Sequence, residues 1–316
     1  MENSQERKLV TISVPCYNEV ENVEGMAVAL SEQMEKFPQY NYEIVFIDNC
    51  STDGTRDKLR AMATGSEHVR AILNSKNFGQ FNSPYYGITQ ARGDCCICIA
   101  SDFQEPVELI PAMVEAWSEG YKLVCPVKTS SKESKILYTL RSWYYRLIRK
   151  MSSVEQIDHF TGFGLYDKSF IKVLRELDDP TPFIRGIVAE LGPAKRKIIP
   201  YEQQQRQAGE THNGFWSLYD AAMLSFTSYT KAPLRMCTVI GFTASLISLL
   251  LAVAFLVFKL LNWSAYPAGS IPILLVVLFI GSLQLFFIGI LGEYVLSINA
   301  RSMRRPLVIE EERINF

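Results

Sequence analysis

Short apolar runs and polar loops alternate along the first third of the chain. The runs occupy residues 9–15, 42–47, 69–73 and 95–99. Each is followed by a polar loop and then by apolar positions at helical spacing, such as Val20, Val23, Ala27 and Leu30 after the first run. Repeats of strand, loop and helix favour right-handed crossovers between parallel strands. The pattern therefore predicts an α/β fold with a doubly wound, mainly parallel sheet.

The fourth run ends abruptly in a carboxylate and an amide, Asp102 and Gln104. Ligands of open α/β sheets bind at the carboxyl ends of the strands, and alternate residues of an extended segment point the same way. These two side chains can therefore share one hard cation, Mg²⁺ or Mn²⁺. Alternatively, Asp102 only caps a helix that begins near Pro106, because Asp is common before a proline-initiated helix.

Polar residues also end the second and third runs. Asp48 lies at the end of the second run itself, whereas Asp53 belongs to a turn that can cap the next helix. Asp48 is therefore the harder of the two to explain as a structural residue. The third run leads into a loop that contains Asn77 and Gly79. The sequence has no Gly-x-Gly-x-x-Gly or Gly-x-x-x-x-Gly-Lys motif, which argues against a dinucleotide fingerprint and a phosphate loop.

The residues after the fourth run predict further helices and strands, followed by segments that are typical of a membrane surface. The pattern predicts a helix at 106–118, strands at 121–127, 162–166 and 198–201, and a mobile loop at 202–213 that carries Arg206. The segment 135–150 is basic and aromatic and includes Arg141. It forms either a solvated helix face or a phosphate-binding surface at a bilayer. Apolar and aromatic residues at helical spacing between Phe215 and Phe226 predict an amphipathic helix in the membrane interface.

Two long runs without a charged residue follow, at 236–258 and 271–292. Each exceeds the roughly 20 residues that cross a bilayer, which predicts two transmembrane helices at about 236–261 and 271–298. Lys and Arg flank the pair but do not occur in the link 262–270, so both termini are expected in the cytoplasm. The charged beginning of the chain predicts no cleaved signal sequence. Small surfaces at Gly281, Gly289 and Gly292 favour a homo-oligomer.

Composition excludes several classes of protein. A net charge of -1 argues against bulk nucleic-acid binding. The seven cysteines have no regular spacing, and three of them lie within the fourth apolar run. This usage is typical of a reducing compartment and indicates neither a zinc site nor a disulfide framework.

The residues resemble the polyprenyl-phosphate glycosyltransferases of glycosyltransferase family 2, the group of dolichol-phosphate mannose synthase and the bactoprenol glucosyltransferases. The resemblance covers most of the chain and depends on the order and spacing of several fragments. These are VPCYNE at 14–19, DNCSTDGT at 48–55, NFGQ at 77–80, ARGD at 91–94, DFQEP at 102–106, RG at 185–186 and RQAGET at 206–211. The two apolar spans fit the bactoprenol branch.

The resemblance implies a GT-A catalytic domain at 1–213, a juxtamembrane helix at 214–233, two transmembrane helices within 234–298 and a cytoplasmic tail at 299–316. It also implies roles for the strand-end residues. Asp102 and Gln104 would bind Mg²⁺ or Mn²⁺ on the diphosphate, and the nucleotide sugar would contact Pro15, Tyr17, Glu19, Asp48, Asn77, Gly79 and Asp102. One departure concerns the metal motif, because Ala100 stands where the family usually has the first Asp of Asp-x-Asp-x-Gln.

The expected reaction transfers one sugar, with inversion, from a nucleotide sugar such as UDP-glucose to polyprenyl phosphate at the plasma membrane. Arg141 and Arg206 are the candidates to neutralise the acceptor phosphate, and with Asp102 they form the expected catalytic set. Two alternatives remain. A processive polysaccharide synthase would carry a Gln-x-x-Arg-Trp motif by family resemblance, and residues 203–207 do not supply it. A non-catalytic nucleotide-sugar-binding scaffold is compatible with Ala100.

Overall fold

The computed structural model of the protein describes residues 7–130, 157–177, 179–206, 223–224, 227, 232–261, 270–303 and 305–316. The strands are β1 (Leu9–Cys16), β2 (Asn41–Asp48), β3 (Val69–Asn74), β4 (Cys95–Cys98), β5 (Leu123–Ser130), β6 (Gly164–Asp167), β7 (Lys197–Glu202) and β8 (Glu310–Ile314). The helices are α1 (Val23–Met34), α2 (Thr55–Gly65), α3 (Gly79–Gln90), α4 (Ile110–Ser118), α5 (Lys168–Leu177), α6 (Ile184–Leu191), α7 (Ala232–Leu261) and α8 (Ser270–Ser302).

One eight-stranded sheet organises the described part of the α/β region, in the order β7-β5-β6-β4-β1-β2-β3-β8. The strands β4, β1, β2 and β3 are parallel to their neighbours within this group, which confirms the mainly parallel sheet that the sequence predicts. Two strands run against this direction: β6 is antiparallel to β4, and β8 is antiparallel to β3. The parallel strands therefore bring the loops after β1, β2, β3 and β4 to one edge.

Apolar side chains on both faces of the sheet explain why its central strands form. Val10, Ile12 and Val14 of β1 are fully buried and pack in one cluster with Val23, Met26 and Leu30 of α1. A second cluster on the other face joins β4 and β5 to α3, α5 and α6. Helices cover both faces, as expected when strands read as near-continuous apolar runs.

The eighth strand is a feature that the sequence analysis did not predict. Residues 299–316 were expected to form a cytoplasmic tail, but Glu310–Ile314 of this segment pairs with β3 from Ala71 to Asn74. The chain thus returns to the sheet after α8. Residues on both sides of the long apolar helices therefore build the same sheet.

The two predicted membrane spans lie on α7 and α8. Large apolar side chains are exposed on both helices, including Phe242 at 71% and Leu285 at 71%. Within the described part of the chain, one helical stretch, Phe279–Ser302, is long and apolar enough to cross a membrane. Two crossings stay a prediction. The segment with Arg141 and most of the amphipathic helix expected at 214–233 lie outside the described residues.

Candidate active site

A cleft of about 400 Å³ opens at the carboxyl ends of the parallel strands. The four loops that follow β1, β2, β3 and β4 supply most of its lining, and the segment after β7 closes it. Its lining residues include Pro15, Tyr17, Glu19, Asn49, Asn77, Gly79, Ala100, Asp102, Gln104 and Arg206. The strand-end position that the sequence predicts for a ligand is therefore where the structure has a cavity.

The loop after β1 places a nearly buried carboxylate in the cleft. Glu19 is 6% exposed, and its Oε2 accepts a hydrogen bond of 2.6 Å from Nδ2 of Asn22. The backbone N–H of Glu19 donates to Oγ1 of Thr55 at 2.9 Å, which ties this loop to the start of α2. Burial raises the pKa of the Glu19 carboxyl, while Asn22 and Arg206 act in the opposite direction. The two partners therefore oppose the effect of burial on this carboxyl.

Asp48, at the end of β2, does not line the cleft. Its side chain is fully buried and accepts hydrogen bonds from the backbone N–H groups of Cys50 at 3.1 Å and Ser51 at 3.2 Å. Burial raises the pKa of this carboxyl, against the effects of Ser51 and Arg56. The neighbouring Asn49 reaches the cleft instead. In this structure Asp48 therefore holds the loop after β2, and its assignment to the nucleotide stays a prediction.

Asn49 connects the second and third loops. Its Oδ1 accepts from the backbone N–H of Phe78 at 2.9 Å, and its Nδ2 donates to Oδ1 of Asn77 at 2.9 Å. Gly79 begins α3 with a φ of +88°, a left-handed conformation that L side chains rarely adopt. Asn77 and Gly79 are consequently held at the cleft by a residue that sequence reasoning did not single out. Its position directly after the strand-end Asp48 was the available signal.

The loop after β4, called the metal loop below, carries the predicted metal ligands Asp102 and Gln104. Asp102 Oδ1 accepts a hydrogen bond of 3.1 Å from the backbone N–H of Gln104, which folds the loop into a tight turn. Phe103 between them has a φ of +58°, which is an outlier for a bulky residue. Its ring packs against the core cluster under α1, and this packing can offset the backbone strain.

The donor atoms of this loop suit a divalent cation. One carboxylate and one amide line the cleft together, and Mg²⁺ is commonly bound through one or two carboxylates with substrate phosphates and water. Among the described residues, no group of three or more His, Cys, Asp or Glu side chains lies close enough to hold a metal by itself. Asp102 and Gln104 therefore fit a metal that is shared with a diphosphate.

Arg206 lies inside the cleft, against the residues predicted to bind the donor. Its Nη2 donates to Oε1 of Glu19, and its Nη1 is 4.0 Å from Oδ2 of Asp102. The backbone N–H of Gln204 donates to the carbonyl oxygen of Gln104 at 3.1 Å, which attaches this segment to the metal loop. Arg206, which follows β7 in the chain, therefore lies beside the loops after β1 and β4. Its assignment to the acceptor phosphate stays a prediction.

A smaller cavity of about 150 Å³ adjoins the cleft and shares Pro15 and Ala100 with it. Glu105 lines this cavity, with Oε2 accepting from the backbone N–H of Ala100 at 3.0 Å and Oε1 accepting from Oγ1 of Thr161 at 2.9 Å. Burial raises the pKa of this carboxyl to about 6. Sequence reasoning gave Glu105 no role, although it follows directly after Gln104.

Residues 11–175 match the family described as Glycosyl transferase family 2. Bactoprenol glucosyl transferase of Shigella phage SfV is 30% identical over 306 residues, 96% of this chain and 99% of that protein. A Bacillus subtilis protein named as a glycosyltransferase, CsbB, is 30% identical over 304 residues, 96% of this chain and 92% of its own.

A solved structure is similar to this chain at a lower level. It is glucosyl-3-phosphoglycerate synthase from Mycobacterium tuberculosis in complex with Mn²⁺, UDP-glucose and phosphoglyceric acid. The TM-score is 0.47 with 16% identity, covering 70% of this chain and 78% of that one. The family match spans more than half of the chain and includes the loops after β1, β2, β3 and β4. The protein is therefore a glycosyltransferase that belongs to glycosyltransferase family 2.

Proposed function

We propose that the protein is a membrane-anchored, inverting glycosyltransferase that moves one sugar from a nucleotide sugar to polyprenyl phosphate. The observation that carries this proposal is the convergence of Glu19, Asp102, Gln104 and Arg206 on one cleft. Two carboxylates, an amide and a guanidinium around a strand-end cavity suit a substrate that carries both hydroxyl groups and a diphosphate.

The donor side of the cleft is assigned to the loops after β1 and β3. Pro15, Tyr17 and Glu19 come from the first loop, and Asn77 and Gly79 from the third. A carboxylate and an amide can accept from or donate to ribose and base. Asp48 acts on this side indirectly, because it holds the loop that carries Asn49. UDP-glucose is the proposed donor. The name of the Shigella phage relative supports glucose as the sugar.

The chemistry needs little help from a general base. An oxygen of the acceptor phosphate attacks the anomeric carbon, and the bond from that carbon to the diphosphate breaks with its electron pair on the leaving oxygen. A phosphate is already ionised at neutral pH. A bound Mg²⁺ or Mn²⁺ on Asp102 and Gln104 would neutralise the departing diphosphate. Arg206, already close to Asp102, is placed to offset the charge of the incoming phosphate.

The exposed apolar surface of the C-terminal helices supports a lipid acceptor. Exposed apolar side chains along α7 and α8 require an apolar environment, since soluble surfaces rarely expose such large apolar patches. The name bactoprenol glucosyl transferase of one relative supports a polyprenyl lipid. We therefore place the enzyme in the plasma membrane, with two crossings, a cytoplasmic catalytic region and Arg141 near the lipid phosphate. The glycine-bearing face of α8 is the proposed surface for self-association.

Transfer of label from nucleotide sugar to lipid tests the proposal. Purified full-length protein in detergent would receive a panel of radiolabelled nucleotide sugars, a short-chain polyprenyl phosphate and Mg²⁺ or Mn²⁺. We expect one donor, UDP-glucose, to yield a butanol-extractable lipid that carries a single sugar. Omitting the lipid phosphate is the control. A growing polymer would instead indicate a processive synthase, and binding without turnover of any donor would indicate a scaffold.

A further inference from the structure

The strand β8 follows the second apolar helix in the chain and forms the edge of the sheet beside β3. It follows α8 after residues 303–309 and pairs with β3, whose end leads into the loop with Asn77. Backbone and side-chain contacts attach this segment to the residue after β3 and to α3. The N–H of Ser75 donates to the carbonyl oxygen of Ile309 at 2.9 Å, and Oη of Tyr86 donates to Oε1 of Glu310 at 2.7 Å.

Arg56 of α2 lies between this strand and the buried Asp48. Its Nη2 donates to Oε2 of Glu311 at 2.8 Å, and its Nε is 3.5 Å from Oδ2 of Asp48. This Nε is buried and has no hydrogen-bond partner among the described residues. The guanidinium therefore interacts with Asp48 mainly through charge, and Glu311 anchors its far end.

Hydrogen bonds connect Asp48 to the loops that line the cleft. It accepts from the N–H groups of Cys50 and Ser51, and Ser51 Oγ in turn accepts from the N–H of Asn18 at 2.8 Å. Asn18 directly precedes Glu19 and follows Tyr17. Both Asn18, with a φ of +55°, and Cys50, with a φ of +66°, adopt the left-handed conformation. Such residues persist when surrounding contacts determine them, and these hydrogen bonds are such contacts.

We propose that Arg56 is a positioning residue for the nucleotide-sugar site and that Glu311, on the strand beyond the membrane helices, orients it. The segment after α8 thereby supports the loops on the donor side of the cleft. This inference rests on the proposed function, in which Tyr17 and Glu19 contact the nucleotide. It predicts that loss of Arg56 or Glu311 weakens donor binding more than it slows the chemical step.

A neighbouring ion pair offers a matched control. Arg60 lies one helical turn after Arg56 on α2, and its Nε donates to Oε2 of Glu312 on the same strand at 2.8 Å. Its second carboxylate partner is Asp57, on α2, and not Asp48. Arg60→Gln therefore removes an arginine and a contact between α2 and β8, but leaves the connection to Asp48 in place.

The experiment compares steady-state kinetics of full-length Arg56→Gln, Arg56→Lys, Glu311→Gln and Arg60→Gln. We expect the KM for UDP-glucose to rise about tenfold in Arg56→Gln. In Glu311→Gln the rise should be about two- to threefold, because an ion pair with a half-exposed carboxylate contributes little by itself. Arg56→Lys should recover part of the loss. The kcat should stay within about twofold, and Arg60→Gln should behave as wild type. The double variant of Arg56 and Glu311 should be no worse than Arg56→Gln, since Glu311 acts through Arg56.

Hydrogen exchange gives a second readout that does not depend on the donor. Peptides that contain Cys50 and Ser51 should exchange faster in Arg56→Gln and Glu311→Gln than in wild type or Arg60→Gln. Unchanged exchange in this loop, or equal effects of Arg60→Gln, would overturn the inference. If exchange increases as expected but Glu19→Gln leaves donor KM unchanged, the inferred link is correct and the proposed donor site is wrong.

Discussion

Arg206 donates a hydrogen bond from Nη2 to Oε1 of Glu19 and holds its Nη1 4.0 Å from Oδ2 of Asp102. One guanidinium thus lies between the loop assigned to the nucleotide and the loop assigned to the metal. The residue proposed to bind the acceptor phosphate therefore contacts both loops that are proposed to bind the donor and its metal.

Replacing Arg206 by alanine should raise the KM for polyprenyl phosphate about tenfold or more. A guanidinium binds phosphate oxygens through two charge-assisted hydrogen bonds, and this interaction is worth roughly 1.5 to 3 kcal/mol. Arg206→Lys should recover only part of the loss, because an ammonium lacks the planar fork. Kinetics with each substrate varied separately provide the measurement. A defect confined to the nucleotide sugar would assign Arg206 to the donor.

Asp102→Asn should abolish transfer. The described cleft offers one carboxylate and one amide at the metal loop, so neutralising Asp102 leaves little negative charge to hold a divalent cation. Turnover of UDP-glucose at increasing Mg²⁺ or Mn²⁺ provides the test. Asp57→Asn is a suitable control, since that carboxylate is 85% exposed on α2. Near-normal, still metal-dependent turnover in Asp102→Asn would reject the metal assignment.

The strand ends were predictable from sequence, but the contacts that join them were not. An apolar run that stops at a carboxylate identifies both a buried strand and its end, as for β4 and Asp102. In contrast, β8 reads Glu-Glu-Glu-Arg-Ile and lacks an apolar face. Arginines on other elements, such as Arg56 and Arg60, are partners of its acidic side chains. Such partners are distant in sequence, so local periodicity does not reveal the strand.

The position of Arg206 was missed for a related reason. Its loop reads as polar and mobile, which describes its composition but not where it folds. A single backbone hydrogen bond from Gln204 to Gln104 brings it over the metal loop. The left-handed conformation of Phe103 likewise has no signal in its residue type, because a bulky residue disfavours it.

Introducing an aspartate at Ala100 should change the metal requirement. Ala100 lines the cleft beside Asp102, so a carboxylate there would face the same space. If a missing ligand limits metal binding, Ala100→Asp should lower the Mg²⁺ or Mn²⁺ concentration that gives half-maximal activity. The neighbouring Glu105, which accepts from the N–H of Ala100, adds repulsion that opposes this gain. An unchanged metal dependence would indicate a site that is organised differently at this position.

Glu105 should make the stability of the protein depend on pH. Burial raises the pKa of its carboxyl from 4.5 to about 6, with Asp102 raising it further and Lys128 lowering it. The folded state therefore binds this proton more tightly than the unfolded state. Its contribution to the unfolding free energy is largest below about pH 4.5 and is lost as the pH rises through about 6.

The expected loss is roughly 1 to 2 kcal/mol. The apparent Tm of wild type in detergent should therefore fall relative to Glu105→Gln between about pH 4.5 and 6. Gln can accept from Ala100 and donate to Thr161, so this variant keeps both contacts. Glu115→Gln, on the exposed face of α4, controls for surface charge. Parallel Tm profiles of wild type and Glu105→Gln would contradict the assignment.

The topology prediction is that the link 262–270 faces the outside of the cell while the catalytic region faces the cytoplasm. Lys and Arg lie at the outer flanks of the two apolar runs and not in the link, which favours this orientation. Ser264→Cys should therefore react with a membrane-impermeant maleimide in intact cells. Cys50 is an internal control, since it is only partly buried in the loop after β2. It should react only after the cells are permeabilised, and labelling of residue 264 from the cytoplasmic side alone would reject two crossings in this orientation.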